Sequence, residues 1–414
     1  MLARRAGHLW SVELSMKSLN QEIDKRRRAV MTPNYLPQPI EIQRGEGRHV
    51  WDADGKVYLD LMGGIATAVL GHCHPKVTAA ANQQLHTLWH ASNLYTTGPQ
   101  VALAEKLAQF SFADQFFFCN SGAEANEAAL KLARRFAHDR GEDRFEFVAF
   151  DGAFHGRTLF TLSATGTPAY WQGFEPLVPG FHHVPYGDLT ATAKALSSQT
   201  AAIIVEPVKG ENGVRPAPPG FLAGLRELAD QNGCLLIMDE VQTGMGRTGP
   251  LFAHQASGIE PDIMTLAKAL ANGLPMGAMA ARESVAASLT PGTHGSTFGG
   301  NPIAAAAACA VLDELTEGGV LEEAAEIGRY LSDGLQAIAE RLGPEKVVEA
   351  RGAGHLQALE LTGKAGPVID RCRENGVLVI SAGENVLRLA PPLTLTQEEA
   401  QEGLSVIEKA ISES

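Results

Sequence analysis

Apolar and polar positions change period along the chain, and each change predicts a different kind of element. IEIQRGEGRHVWDADGKVYLDLMGG alternates apolar and polar residues on both sides of Asp54-Gly55, the signature of a β-hairpin. Between Gly71 and Asn301 short apolar runs, FEFVAFD, AAIIVEP, CLLIMDE and DIMTLAK, are separated by helical stretches such as PGFLAGLRELADQNG. FFFCNSGAEANEAALKLARR passes from a strand through a small-residue turn into a helix. That alternation predicts a mostly parallel sheet with helices on both faces. After Asn301 the period becomes that of long amphipathic helices, IAAAAACAVLDELTEG and LEEAAEIGRYLSDGLQAIAERLG. Strands are then expected in VVEARGAGHLQALEL, VLVISAG and NVLRLAPPL, with a last helix around TQEEAQEGLSVIEKAI. The fold class is therefore α/β. Residues 71–302 are expected to form the large lobe and residues 303–414 a smaller α+β lobe. Residues 37–70 join the small lobe, and residues 1–36 form an extension.

A chain of 414 residues is too long for one typical core, which agrees with two lobes. Apolar residues at 45% and charged residues at 20% are ordinary for a globular protein. The net charge of −13 offers no basic surface, so neither a nucleic-acid nor an anionic membrane partner is expected. It also means that an anionic substrate must be captured by local cations. No apolar stretch is long enough to span a bilayer. Five scattered cysteines, an odd number, suit a reducing compartment, and a cytoplasmic location is expected. The first thirty residues mix Arg4, Arg5 and KRRR with Glu13, Glu22 and Asp24 and have no apolar h-region. They are expected to be a disordered extension, or to precede a true start at Met16 or Met31.

The polar residues that close the apolar runs carry the chemistry. Asp151, Glu206, Asp239 and Lys268 each follow a strand candidate, and in such sheets ligands sit at the carboxyl ends of strands. Ser121, Gly122 and Ala123 let backbone close on a phosphate at a helix start. An amine at Lys268, a carboxylate at Asp239 and that cradle are the three parts pyridoxal 5′-phosphate requires. A carboxylate buried after CLLIMD is costly without a cation, and a pyridinium N–H is one. Phe154 offers a stacking surface, Arg157 a carboxylate fork and Thr297 a further phosphate donor, while Val241 and Gln242 could line the ring. His72 and His74 in GHCHP lie two apart with no second cluster nearby in sequence, so no metal site is expected. Neither GxGxxG nor GxxxxGKS occurs at the strand-to-helix turn around Ser121, and GxSxG is missing from the chain, which removes the usual dinucleotide, nucleotide and hydrolase readings.

With FHGRTLF, IMDEVQTGMGRTG, LAKALANGLPMGA and HGSTFGGNP added, the chain resembles the class III pyridoxal-phosphate aminotransferases from about Pro37 onward, and among them those acting on acetylornithine and succinylornithine. The resemblance implies fold type I and a homodimer with shared active sites. It implies that Lys268 is the cofactor-bearing lysine, Asp239 the pyridinium partner, and Ser121, Gly122 and Ala123 the phosphate turn. Phe154 and Val241 would flank the ring, Gln242 would lie near its phenolic oxygen, and Thr297 would reach the phosphate of the neighbouring subunit. Arg157 would hold the distal carboxylate, Arg388 the α-carboxylate of the keto acid, and Glu211 would mask Arg388 while an amine is bound.

Departures from the family pattern matter too. Lys209 and Asn212 flank Glu211 where glutamine and glycine are usual, so Lys209 is expected to compete for the Glu211 carboxylate. His355 and Gln357 replace apolar or small residues, and Ile65 stands where ornithine enzymes place a tyrosine, which suits an acylated substrate. The expected reaction moves the ω-amino group of N-acetylornithine to 2-oxoglutarate, giving N-acetylglutamate semialdehyde and glutamate by a ping-pong route. Alternatives are succinylornithine, ornithine, 4-aminobutyrate or another ω-amine as donor and, more remotely, a non-catalytic binding protein on the same scaffold.

Overall fold

The computed structural model describes residues 18–414. Residues 1–17, with Arg4, Arg5, Glu13 and Met16, lie outside the described residues. The remainder of the expected extension is ordered in part, because Leu19–Val30 is a helix. Its start is tied down by the Asp54 carboxylate, which accepts from the Leu19 N–H at 2.8 Å, and by the Asn20 amide, which donates to Asp52 at 3.1 Å and Asp54 at 2.8 Å. The hairpin that supplies those carboxylates is the one Asp54-Gly55 predicts. Strands β1 (Ile42–Glu46), β2 (His49–Asp52) and β3 (Val57–Asp60) are antiparallel, and Gly55 takes the left-handed φ of 84° that the turn needs.

The central sheet follows. It contains β4 (Gln115–Cys119), β5 (Glu146–Phe150), β6 (Phe181–Val184) and β7 (Thr200–Val205). A two-stranded hairpin, β8 (Val208–Lys209) and β9 (Arg215–Pro216), interrupts before β10 (Leu235–Asp239), β11 (Ile263–Leu266) and β12 (Gly277–Ala281). The seven strands run in the order β4-β12-β11-β10-β7-β5-β6. All neighbours are parallel except around β12, which is antiparallel to both β11 and β4. β12, the sequence GAMAA, is poor in β-branched residues and carried no strand signal. It fits because it is small: a Cβ at Gly277 would lie 2.4 Å from the Ser121 carbonyl oxygen.

Alternate strand residues face opposite layers. Ile204, Ile237 and Ile263 pack under Ala129, Leu130 and Ala133 of the helix Gly122–Asp139. Val205, Leu236 and Met238 pack against Phe221 and Leu225 of the helix Phe221–Asn232. With both faces covered, these strands read as continuous apolar runs.

The helix Pro302–Thr316 differs from expectation. It was assigned to the C-terminal lobe, yet Ala304, Ala305, Ala308 and Val311 sit in one core with Val77, Leu103 and Leu107 of the large lobe. Its alanine face permits that close approach. Beyond it, β13 (Val347–Ala353), β14 (Leu356–Leu361), β15 (Val377–Leu378), β16 (Ile380–Ser381) and β17 (Val386–Leu389) form the C-terminal strands. Four of them make an antiparallel sheet, β13-β14-β17-β16, while β15 joins β3 in parallel. Leu59 and Leu61 of the N-terminal segment share a core with Leu331, Leu359 and Leu404. No helix among the described residues is long and apolar enough to cross a membrane.

Candidate active site

Three strands end on one cavity of about 360 Å³, which Glu206, Asp239 and Lys268 all line. Asp151, grouped with them on sequence, does not line it: the chain turns outward at Gly152 (φ 73°) and leaves the Asp151 side chain exposed.

Asp239 is the most heavily supported group. Its Oδ2 accepts from Asn126 Nδ2 and from His155 Nδ1, each at 2.7 Å, and its Oδ1 accepts from the Val241 N–H at 3.0 Å. Only 3% of Asp239 is exposed. An acceptor-only carboxylate next to His155 means that Nδ1 carries the proton. Asn126 is itself fixed, receiving a bond from Thr265 Oγ1 at 2.7 Å and donating to the His155 carbonyl at 2.8 Å. A carboxylate offers about four acceptor positions, so three protein donors leave room for one cationic N–H from the cavity. Asn126 and His155 were missed on sequence. The one available signal was an asparagine inside the otherwise small and apolar face of EANEAALKLA.

Ser121 caps the helix Gly122–Asp139, its hydroxyl accepting from the Glu124 N–H at 3.2 Å. The N–H groups of Gly122 and Ala123 come earlier in the first turn and have no intrahelical acceptor. Both residues line the cavity. Gly122 is obligatory, since a Cβ there would stand 2.6 Å from a Val241 methyl. A positive helix end with free donors, an acceptor-rich carboxylate and an amine between them fit a phosphorylated, cationic-ring cofactor.

Lys268 follows β11 in a 3₁₀ turn with a φ of 37°, a strained value for a lysine. Among the described residues its ammonium has neither a hydrogen bond nor an ion pair. Burial lowers its pKa from the usual lysine range, and the Glu211 carboxylate opposes that shift. Phe154, Val241 and Gln242 line the same cavity, as does Arg157, whose guanidinium sits 3.6 Å above the Tyr170 ring and 5.5 Å from that of Phe154.

Glu211 and Arg388 form an ion pair, Nη1 to Oε1 at 2.7 Å. Arg388, on β17, is 1% exposed and also donates to the Gly210 carbonyl at 3.0 Å. Gln242 donates to the same Glu211 carboxylate at 2.8 Å. Burial pulls the Glu211 pKa up, yet the Arg388 guanidinium, with Lys268, holds it down at about 2. Gly210 leaves the space Gln242 occupies, because a Cβ would be 1.6 Å from its Oε1. In Glu206, burial pushes the pKa up against the pull of His155. Its carboxylate accepts from the Phe154 N–H at 2.9 Å.

Lys209 does not compete for Glu211. Its ammonium donates to the Asp151 carbonyl at 2.9 Å instead. Three other expected residues lie off this cavity: Arg388, which meets it only through its pair with Glu211, Thr297 and Ile65. Thr297 is exposed and lines a second cavity of about 440 Å³ with Asn120 and Ser296. Ile65 is 37% exposed with a φ of 63°, and Thr67, two residues on, lines the cavity in its place. His72 pairs with Asp60 at 2.7 Å. His355 and Gln357 are buried away from the cavity, bonded to the carbonyls of Ala324 and Gly354.

The family model for class-III aminotransferases matches residues 30–411. An acetylornithine aminotransferase of Myxococcus xanthus is 52% identical over 94% of this chain and 97% of its own length. A succinylornithine transaminase of Citrobacter koseri is 48% identical over 90% and 93%. Among solved structures, an ornithine aminotransferase of Toxoplasma gondii superposes with a TM-score of 0.91 at 34% identity, covering 95% of each chain. An N-acetylornithine aminotransferase of Stenotrophomonas maltophilia does so with a TM-score of 0.80 at 39% identity, over 92% and 97%.

Proposed function

The chain belongs to the class-III aminotransferases, and we propose that it transfers the ω-amino group of N-acetylornithine to 2-oxoglutarate. Pyridoxal 5′-phosphate, the family's cofactor, supplies when bound an aldehyde carbon that takes up the amine and a ring that withdraws electrons. The protein's own residues do the rest. Lys268 Nζ would hold the cofactor through its aldehyde carbon and, as a free amine, would take the proton from the substrate carbon. Burial favours this by lowering its pKa, so that the free amine is available as a base. Asp239, oriented by His155 and Asn126, would keep a proton on the ring nitrogen. The first turn at Ser121, Gly122 and Ala123 would bind the phosphate, Phe154 and Val241 would hold the ring, and Gln242 would meet its phenolic oxygen.

The observation that carries the reading is the Glu211–Arg388 pair at 2.7 Å beside Lys268. A free guanidinium there would hold the α-carboxylate of an amino acid and deliver its α-amine. Covered by Glu211, it leaves the pocket to a substrate whose distal end is held by Arg157 and whose ω-amine reaches the cofactor. When 2-oxoglutarate arrives, Glu211 turns away and Arg388 takes the α-carboxylate, so one pocket serves both half-reactions.

A homodimer is part of the proposal. Trp89, Leu94, Tyr95 and Phe298 are large, exposed and apolar, and Asn93, in the same segment as the first three, donates to the carbonyls of Ser296 and Gly299 on either side of Thr297. A cytoplasmic location is included as well, supported by five cysteines that are all unpaired.

Comparing kcat/KM for acetylornithine, succinylornithine, ornithine and 4-aminobutyrate tests the donor. Succinylornithine, the substrate named for a 48% identical relative, is the runner-up. A clear preference for free ornithine or 4-aminobutyrate would overturn the acyl-donor reading. A protein that gains no visible absorbance band with the cofactor would overturn catalysis altogether.

A further inference from the structure

We propose that Lys209 is a positioning residue: it holds the Glu211 hairpin at the distance where Glu211 covers Arg388, and so biases the pocket toward ω-amine donors over α-amino acids. The inference rests on the masking role proposed for Glu211.

The hairpin that carries Glu211 lies between the two lobes. From the small lobe it is held by Arg388, on β17, through the Gly210 carbonyl at 3.0 Å. Arg351, on β13, holds it through the Gly213 carbonyl at 2.7 Å. With those contacts alone, the hairpin would follow the small lobe. From the large lobe, its base is held by the Lys209 ammonium, which reaches the Asp151 carbonyl at 2.9 Å. Asp151 opens the loop that leads to Phe154, so Lys209 links the masking carboxylate to the loop that stacks on the ring. The large lobe's other ties are a bond of 3.3 Å from the Gly210 N–H to Glu206, one from Tyr186 to the Pro207 carbonyl at 3.1 Å just before β8, and one from Gln242 to the Glu211 carboxylate itself at 2.8 Å.

The seat for Lys209 is built. The side chain is 8% exposed, and its ammonium lies 4.9 Å from the centre of the Tyr186 ring. Tyr186 is fixed in turn, its hydroxyl donating to the carbonyls of Glu206 at 2.9 Å and Pro207 at 3.1 Å. Gly152, at a φ of 73°, supplies a notch, since a Cβ there would stand 3.1 Å from Lys209 Nζ and 2.2 Å from Asn212 Nδ2. Among the described residues no carboxylate lies within ion-pair distance of Lys209. Burial disfavours the charged ammonium, and Glu206 and Asp151 attract it only from beyond ion-pair distance, so the bond to the Asp151 carbonyl is its one direct polar contact among the described residues. Without that tie the hairpin gains freedom. The Glu211–Arg388 pair must then order the hairpin each time it forms, and the unmasked state gains population.

The test is a double-mutant cycle on the cofactor-loaded dimer, with Lys209→Met, Glu211→Ala and the pair. Two quantities are read: the ratio of kcat/KM for acetylornithine to that for glutamate, and the affinity for glutarate by calorimetry. Glutarate is a dicarboxylate that cannot react, and it binds better when Arg388 is uncovered. Lys209→Met should lower the ratio about three- to tenfold and tighten glutarate by a similar factor. In the Glu211→Ala background it should change neither. Lys209→Gln, too short to reach the Asp151 carbonyl, should repeat the shift and guards against misfolding of the methionine variant. An unmoved ratio in both Lys209 variants beside a shifted Glu211→Ala would overturn the role of Lys209 alone, as would an equal shift in the Glu211→Ala background. An unmoved ratio in Glu211→Ala itself would overturn the masking reading, and this proposal with it.

Discussion

Replacing Asp239 by asparagine keeps the volume and shape of the side chain and removes only a charge and one acceptor. The structure dictates what that costs. Oδ2 takes two donors, Asn126 Nδ2 and His155 Nδ1, and Oδ1 takes one, the Val241 N–H. An amide nitrogen in the Oδ2 position would face two donors; in the Oδ1 position it would face one. The second arrangement is the cheaper, so the variant keeps the bonds to Asn126 and His155 and sets an NH₂ against the Val241 N–H. One buried donor left unpaired costs about 1–3 kcal/mol, and the cofactor-free protein should lose that much in urea denaturation at neutral pH. Catalysis loses more than packing. A neutral amide no longer keeps a proton on the ring nitrogen, and a charge-assisted bond of about 1.5–3 kcal/mol disappears from the reacting complex. Stopped-flow single turnovers of the acetylornithine half-reaction should therefore slow about ten- to a hundredfold. A variant that loses stability and keeps its turnover rate would show that Asp239 is structural only. One that keeps both would refute the hydrogen-bond argument itself.

Lys268→Ala should lose both the visible band of bound cofactor and turnover; near-normal transamination would remove Lys268 from its assigned role. If Thr297 serves the neighbouring subunit, mixing Lys268→Ala and Thr297→Ala protomers should rebuild one intact site per mixed dimer. Activity should rise above that of either parent, provided Thr297→Ala alone is impaired, and a fully active monomer would contradict the shared site. The Glu211 carboxyl, held at about 2 against an ordinary value of 4.5, contributes stability that is complete above pH 4.5 and is lost as pH falls through 2. The contribution is on the order of 3 kcal/mol at neutral pH. Glu211→Gln should therefore be destabilised at pH 7, with roughly half the deficit remaining at pH 3. A deficit that does not change with pH would mean that the ion pair is not its source.

Much of this arrangement is legible in local sequence because it depends on local rules. Strands buried on both faces must be continuously apolar, so β5, β7, β10 and β11 stand out, and Glu206, Asp239 and Lys268 are found where those runs stop. Asp54-Gly55 specifies a hairpin turn whatever surrounds it. Ser121, Gly122 and Ala123 mark a helix start through their own backbone requirements. Other features depend on partners distant in sequence. GAMAA becomes β12 because only small residues fit beside the Ser121 carbonyl. The alanine-rich helix Pro302–Thr316 goes to the large lobe because the helices Pro75–Leu85 and Gly98–Phe110 offer it a closely packed face. His155 and Asn126 gain their roles from meeting Asp239, 84 and 113 residues further along the chain. Lys209 is the sharpest case. Its charge and its neighbour Glu211 are plain in the sequence, but the direction of its side chain is not. Only the notch at Gly152 and the carbonyl of Asp151 turn that ammonium away from Glu211, because a buried N–H group goes to whichever acceptor the packed chain places within reach.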